Sequence, residues 1–497
     1  MHLFGDELSS STLFFLILAL GLALGFEFVN GFHDTANAVA TVIYTHSLKP
    51  VVAVVWSGLW NLTGVLLSAG TVAFSVVSLL PVELVLNVGS GAGFAMVFAL
   101  LISAIMWNLG TWWLGLPASS SHTLVGAIMG VGLANSMMTP GHVFGEGVNW
   151  AKAGDVFKSL LVSPIIGFVC AALLLLLAKA VIRRKDLYQA PEPGKAPPLW
   201  IRALLILTCT GVSYSHGSND GQKGMGLIVL ILVGIVPGGY ALNPEAKHEN
   251  LVEIVQEAQA AAPFLDARAP LMQVRGQDSI DELSDFMKPS AGPPSIRFWD
   301  SLAGKDHDII DQLSGKNSFH DLTAEQRKLL RRDIYLMSES ISKLDKKKYL
   351  DNPAEAKALK ALSKSLAAQT KFIPTWVKVA VALALGFGTM IGWKRIVITV
   401  GEKIGKEHLT YAQGASAEII TWATIQGADT LGLPVSTTHI LSSGIAGTMA
   451  ANKSGLQADT LRNILLAWVL TLPVCVLLGA ALFSGSFYIL FHLLGLK

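Results

Sequence analysis

GLPASSSHTL, residues 115–124, returns almost unchanged as GLPVSTTHIL at residues 432–441. The two phrases align Pro117 with Pro434, Ser119 with Ser436, Ser120 with Thr437, Ser121 with Thr438 and His122 with His439. Gly-Leu-Pro interrupts an apolar run, and the hydroxyls that follow are residues that start helices. Free backbone N–H groups and the positive end of the helix dipole make such a start an anion site. The apolar tails at 124–134 and 440–451 are glycine-rich and too short to cross a bilayer alone. They read as re-entrant hairpins, whose irregular backbone is tolerated only inside protein or beside a cavity.

The surrounding composition is that of a membrane. Of 497 residues, 52% are hydrophobic and 14% charged, and mean hydropathy is +0.52, whereas soluble domains carry about 25% charged residues. Apolar stretches at 13–29, 51–67, 94–113 and 160–178 approach the roughly 20 residues a helical crossing needs. Ten to twelve such segments are expected, some broken, in an all-α polytopic fold. The first reads as a retained helix, because no basic residue precedes it and no cleavage site follows. A net charge of +2 gives no footprint for nucleic acid, and Cys170, Cys209 and Cys475 stand singly, as core residues do.

A second pair of phrases makes the chain a duplication. NGFHDTAN at 30–37 and HGSNDGQK at 216–223 align Gly31 with Gly217 and Asp34 with Asp220. Asp34 and Ser119 lie 85 positions apart, Asp220 and Ser436 lie 216 apart, and the excess nearly equals the stretch 241–372. That stretch holds 19 of the 37 basic and 20 of the 35 acidic residues and has no spanning-length apolar run. It reads as a soluble helical insert, with a capping box at Thr323–Gln326 ahead of Leu330, Ile334, Met337, Ile341 and Leu344 on one helix face. The expected organisation is a first membrane repeat at 1–188, a Pro-rich linker at 189–200, the start of a second repeat at 201–240, the insert at 241–372 and the remainder at 373–497. Lys and Arg collect in short cytoplasmic loops. Arg183, Arg184, Lys185, Lys195 and Arg202 therefore place the linker in the cytoplasm, and Lys394, Arg395, Lys403 and Lys406 the loop after the insert. The insert then falls outside, in the periplasm, and the two copies have opposite orientation, an arrangement whose binding sites lie near the membrane midplane.

A carboxylate inside the hydrocarbon region must face a cavity or a partner. Asp34 has Asn30 and Asn37 nearby in sequence, and Asp220 has Asn219 and Gln222; such oxygen donors suit hard cations or an exchanging proton. Ser119, Ser120, Ser121, Ser436, Thr437 and Thr438, with Asn37 and Asn219, form the candidate anion cradle. Asp34 and Asp220 are the candidate metal ligands, joined for cation or proton coupling by Asn30, His33, Gln222, Lys223 and Glu418. A phosphate-like dianion beside two carboxylates sums to about −4, which low dielectric does not tolerate, so cations enter with it. The reading is symport. Phosphate can keep a proton and donate it to an Asp, which favours it over sulfate. His122, His216 and His439 offer metal or proton handling as one reading and backbone capping as the favoured one. An intramembrane hydrolase built on Ser121 and His122 is the reading from another class, but adjacent helical residues diverge by about 100° and no orienting acid accompanies them.

FVNGFHDTANAVAT, HGSNDGQKG, GLPASSSHT and GLPVSTTHI resemble the duplicated signatures of the inorganic phosphate transporter (PiT) family, over both membrane halves and not the insert. Among its members the chain is most similar to the bacterial low-affinity Pit-type permeases. The resemblance implies phosphate uptake across the inner membrane, driven by protons, with neutral metal–phosphate complexes accepted and Mg2+ as one such metal; a sodium-coupled phosphate or sulfate symporter is the alternative. It also implies two inverted repeats with re-entrant hairpins, a homodimer, no enzymatic activity and no resident cofactor. Two positions depart from the family pattern. His33 stands where Asn precedes the motif Asp, and Lys223 stands opposite Asn37. The expectation is that the Lys223 ammonium replaces one bound cation and that His33 adds a titratable group.

Overall fold

A computed structural model describes residues 2–3, 6–34, 36–80, 90–139, 144–146, 148–192, 194–269, 276–288 and 291–489. Side chains of residues 2–3, 6–7, 36 and 37 are outside that description, so the expectation for Asn37 falls there too. Among the described residues the regular structure is helical, apart from a two-residue antiparallel pairing of His2–Leu3 with Asp6–Glu7 and a single bridge between Gly405 and Leu456. It divides into two compact units: one takes in the described residues of 1–17 and 229–372, the other those of 18–80, 90–228 and 373–489.

In chain order the first helices are α1 (Ser10–Asp34), α2 (Ala36–Tyr44), α3 (Pro50–Leu67), α4 (Thr71–Val77), α5 (Gly91–Trp113), α6 (Ser120–Met138), α7 (Trp150–Val181) and α8 (Leu199–Ile235). The insert supplies α9 (Pro237–Tyr240), α10 (His248–Arg268), α11 (Gln277–Met287), α12 (Ile296–Leu313), α13 (Ala324–Lys346) and α14 (Pro353–Thr370). The chain ends with α15 (Thr375–Met390), α16 (Lys394–Glu402), α17 (Tyr411–Thr430), α18 (Thr437–Asn452) and α19 (Ala458–Tyr488).

Among the described residues, five stretches are long and apolar enough to cross a bilayer by themselves: α1 with α2, α3, α5, α7 and α19. Their outer faces carry what water would reject, such as Leu173 and Leu177 on α7 and Val469 and Leu477 on α19, each more than half exposed. Polar α8 and α17 and the glycine-rich α6 and α18 fall short of that test, and they carry the repeated phrases or their neighbours. Many of their polar residues are buried, among them those at 119–123, 219–223 and 436–439, with Gln413 and Glu418.

Small residues set how these helices meet, because lipid gives helices no hydrophobic reason to associate and close packing must do so. α6 lies on α19 and α18 lies on α7. Gly126 and Gly130 of α6 abut Cys475 and Ala480 of α19, and a Cβ on Gly130 would sit 2.9 Å from the Ala480 nitrogen. In the other copy Gly447 of α18 abuts Phe168 of α7, and Gly167 of α7 abuts Ile440 and Ser443. The Asp phrases repeat this exchange. Gly31 packs against the α15 backbone at Leu385–Thr389, and its counterpart Gly217 packs against Asn61 on α3. Each half thus completes the packing of the other.

The insert unit has its own core. Leu251, Ile254 and Leu265 of α10 meet Phe298 and Leu302 of α12, Leu330, Ile334, Met337 and Leu344 of α13, and Leu359, Leu362 and Leu366 of α14. The capping box forms: Thr323 N donates to Gln326 Oε1 (2.8 Å) and Gln326 N to Thr323 Oγ1 (3.2 Å). Arg268 binds Glu355 through Nε (2.7 Å) and Nη2 (2.8 Å) while its guanidinium lies 4.5 Å from the Trp299 ring centre.

Candidate functional site

The site is built from the ends of two short helices and the middle of a long one. Ser119 and Ser436 are the N-caps of α6 and α18; their hydroxyls accept from His122 N and His439 N, each at 3.2 Å. Capping by these two leaves the next hydroxyls free to point away from their own helices. Ser120 Oγ donates to Asp34 Oδ2 at 2.9 Å and approaches Asp220 Oδ2 at 3.3 Å. Thr438 Oγ1 donates to Asp34 Oδ1 at 2.5 Å. A hydroxyl from each phrase therefore reaches the carboxylate of the first copy, and Ser120 joins the two aspartates.

His216 completes the group. Asn61 donates its amide N–H to Thr389 Oγ1 (3.2 Å), so its oxygen is left to accept from His216 Nδ1 (2.7 Å). With Nδ1 bearing the proton, Nε2 faces Asp34 Oδ2 at 3.8 Å and Asp220 Oδ2 at 3.7 Å and has no hydrogen-bond partner. Donor atoms of Asp34, His216 and Asp220 all lie within 4.8 Å of one another, and all three side chains are buried. Two carboxylates and an imidazole nitrogen converging this way fit a cation. Spacing offered a signal for His216, which precedes Asp220 by four residues and shares its helix face. The sequence reading favoured a backbone cap over metal or proton handling for it.

Lys223 is fully buried one turn beyond Asp220. Its ammonium reaches Asp220 Oδ2 (2.8 Å) and donates to Ser121 Oγ (2.6 Å), which in turn donates to the Val435 carbonyl (2.7 Å). His33 contacts Asp34 Oδ1 through Nδ1 (3.2 Å) and Thr111 Oγ1 through Nε2 (3.0 Å). These five groups, Asp34, Asp220, His33, His216 and Lys223, form one electrostatic cluster.

Other candidate residues stand outside it. Asn219 clamps the Gly-Leu-Pro stretch, donating to the Leu433 carbonyl (3.2 Å) and accepting from Val435 N (3.5 Å). Gln222 is a strut: its oxygen accepts from Val72 N (2.8 Å) and Ala73 N (3.4 Å) at the start of α4, and its amide donates to Asp429 Oδ1 (2.7 Å). Asn30 donates to Glu27 Oε2 at 3.5 Å. Glu418 belongs to a separate buried pair of contacts, accepting from the hydroxyls of Thr41 and Thr208. Thr437 is buried at the first turn of α18. His122 and His439, besides following their caps, lie with tilted rings 4.8 Å apart, and His439 stacks on Trp468 at 4.0 Å.

Comparison with known proteins gives a consistent set of likenesses. The sequence pattern of the Phosphate transporter family matches residues 30–479. The chain is 42% identical to the low-affinity inorganic phosphate transporter PitA of Escherichia coli K12, covering 97% of this chain and 98% of that one. It is 41% identical to PitB of the same organism, covering 94% and 96%. Among solved structures, one called the sodium-dependent phosphate transporter superposes with a TM-score of 0.51 at 20% identity, over 95% of this chain and 98% of that one. At that identity the likeness is one of fold.

Proposed function

Given that the chain belongs to the Phosphate transporter family, we propose that it imports inorganic phosphate across the inner membrane as a neutral complex with a divalent metal such as Mg2+, coupled to proton entry. The observation that carries this reading is the convergence of Asp34, His216 and Asp220 within 4.8 Å, ringed by Ser120, Ser121 and Thr438. The carboxylates and the imidazole hold the metal of the complex. The hydroxyls, together with the N-terminal amides of α6 and α18, meet the phosphate oxygens. Metal and phosphate are both cargo here, and no resident cofactor or bond-making step is required.

Lys223 supports proton rather than sodium coupling. Its ammonium already neutralises Asp220 at 2.8 Å, occupying the place where a second small cation would bind. His33 and His216 both lie beside the Asp34 carboxylate. The exchange of packing between copies supports two inverted repeats around this site, with the insert on the periplasmic side, and we propose a homodimer as the working assembly.

The test is linked binding. Purified protein in detergent is heated with magnesium alone, phosphate alone and both. Joint addition is expected to raise the unfolding midpoint beyond the sum of the separate effects, because one complex binds one site, and Asp220→Asn is expected to abolish the excess. Additive effects in the wild type would refute the metal–phosphate reading.

A further inference from the structure

One buried acid is used by none of these contacts. Glu27 lies on α1 two turns before Asp34, on the same helix face, and is wholly buried. Its Oε2 accepts a 3.5 Å bond from the Asn30 amide, while its Oε1 and the Asn30 Oδ1 both lack a donor. Three acceptor oxygens thus have only the Asn30 amide and the Gly224 backbone N–H against them among the described residues. α8 closes the other side: a Cβ on Gly224 would run into the Glu27 carboxyl, so only glycine lets the acid lie against that helix. Gly224 follows Lys223 directly, and the charged groups that face Glu27 are Lys223 and Asp220. Lys223 is committed to Asp220 and Ser121.

We propose that Glu27 is the residue that carries the coupling proton. The pair of oxygens without donors needs one hydrogen. A proton on Glu27 supplies it, turns one acceptor into a donor and removes a charge that no bonded base compensates. The step is an ordinary protonation, carboxylate plus a proton from the medium giving the carboxylic acid, reversed on the other side of the membrane. Electrostatic coupling through Lys223 links it to the cargo: with Glu27 ionised, its negative charge offsets the ammonium and opposes entry of the phosphate; with Glu27 neutral, the ammonium is left to hold the phosphate end of the cargo through Ser121, so proton and cargo favour each other's binding. Proton and cargo occupancy thereby influence each other without a shared atom.

This inference rests on the proton-coupled reading, and one experiment separates their fates. Proteoliposomes with the membrane potential clamped at zero are given a one-unit pH gradient, acid outside, and labelled phosphate with magnesium. One coupled proton drives about tenfold accumulation per pH unit. Glu27→Gln is expected to bring accumulation down to about onefold while labelled-for-unlabelled phosphate exchange continues, and Glu27→Asp to retain gradient-driven accumulation. Wild-type and Glu27→Gln vesicles that accumulate alike would overturn the assignment and leave proton coupling standing. Loss of exchange in both variants, with the protein still monodisperse, would overturn it in favour of a packing role. Wild-type accumulation indifferent to pH and driven by sodium would remove both readings, and sodium dependence abolished by Glu27→Gln would make the Glu27–Asn30 oxygens a sodium site instead.

Discussion

Lys223→Asn tests the charge arrangement of the site most sharply, because it restores the amide found at the equivalent position, Asn37. The ammonium sits 2.8 Å from Asp220 Oδ2, with both side chains buried. At an effective dielectric of about 20, that separation corresponds to about 6 kcal/mol of attraction. Breaking a buried pair by deleting one partner costs roughly 3–5 kcal/mol, since the remaining charge stays in place. Asp220 has no other cation within bonding distance among the described residues, and its Oδ1 has no hydrogen-bond partner. The variant should therefore unfold at a lower temperature in choline buffer. A cation that takes the ammonium's place recovers about 2.7 kcal/mol when present at a hundredfold over its Kd. The assay is thermal unfolding in detergent, titrated with sodium, alongside phosphate uptake under sodium and proton gradients. Expected are a midpoint restored by sodium in the variant alone and a newly acquired sodium dependence of uptake. A variant that unfolds like the wild type, ignores sodium and keeps wild-type coupling would refute the idea that Lys223 stands in for an ion.

Thr438→Val removes a 2.5 Å bond to Asp34 Oδ1 and leaves that oxygen, among the described residues, to His33; at about 1.5–3 kcal/mol for a bond to a charged group, kcat/KM for phosphate uptake should fall at least about tenfold, with Thr438→Ser near wild type. Gly217→Ala drives a methyl group into the Asn61 backbone, 2.8 Å from its Cα; overpacking should cost about 1–3 kcal/mol in the thermal midpoint, whereas Gly110→Ala, with open space around it, should cost far less. In the insert, Asp306 is buried, neither carboxyl oxygen has a donor, and burial, together with nearby Asp266, pushes its pKa up to about 8. The folded state then holds a proton that the unfolded chain gives up near pH 4, so this contribution to stability is present at low pH and is lost as pH rises toward about 8. Amide exchange across 296–313 in the full-length protein, corrected for intrinsic rates, should accelerate from pH 5 to pH 8 and do so much less in Asp306→Asn.

Much of the architecture was legible in the sequence because duplication repeats its signals. Hydroxyls after Gly-Leu-Pro mark helix starts by local hydrogen bonding, and Ser119 and Ser436 cap α6 and α18 by that rule. The long apolar runs announce crossings because lipid offers the backbone no partners. Destinations of the longer polar side chains were not legible in the same way. Gln222 and Asn219 flank Asp220 in sequence, yet on α8 neighbouring residues diverge around the axis, and these amides reach α4 and the Leu433–Val435 backbone. Which target such an amide finds depends on helices that pack beside it from far along the chain. His216 shows the converse. Its four-residue spacing from Asp220 put both on one face, but its tautomer is set by Asn61, 155 positions earlier. Lys223 could be flagged as unusual from the alignment of the copies, while its bond to Ser121 required the two halves to interlock.

Transport itself decides the central claim. Wild-type and Asp34→Asn proteins are reconstituted into proteoliposomes, and accumulation of labelled phosphate is measured with proton, sodium and magnesium gradients varied independently. Uptake in the wild type should follow the proton gradient, rise with magnesium and vanish in the variant. Accumulation of phosphate against its gradient by Asp34→Asn would contradict the account, since Asp34 would then be a structural acid and not a ligand of the cargo.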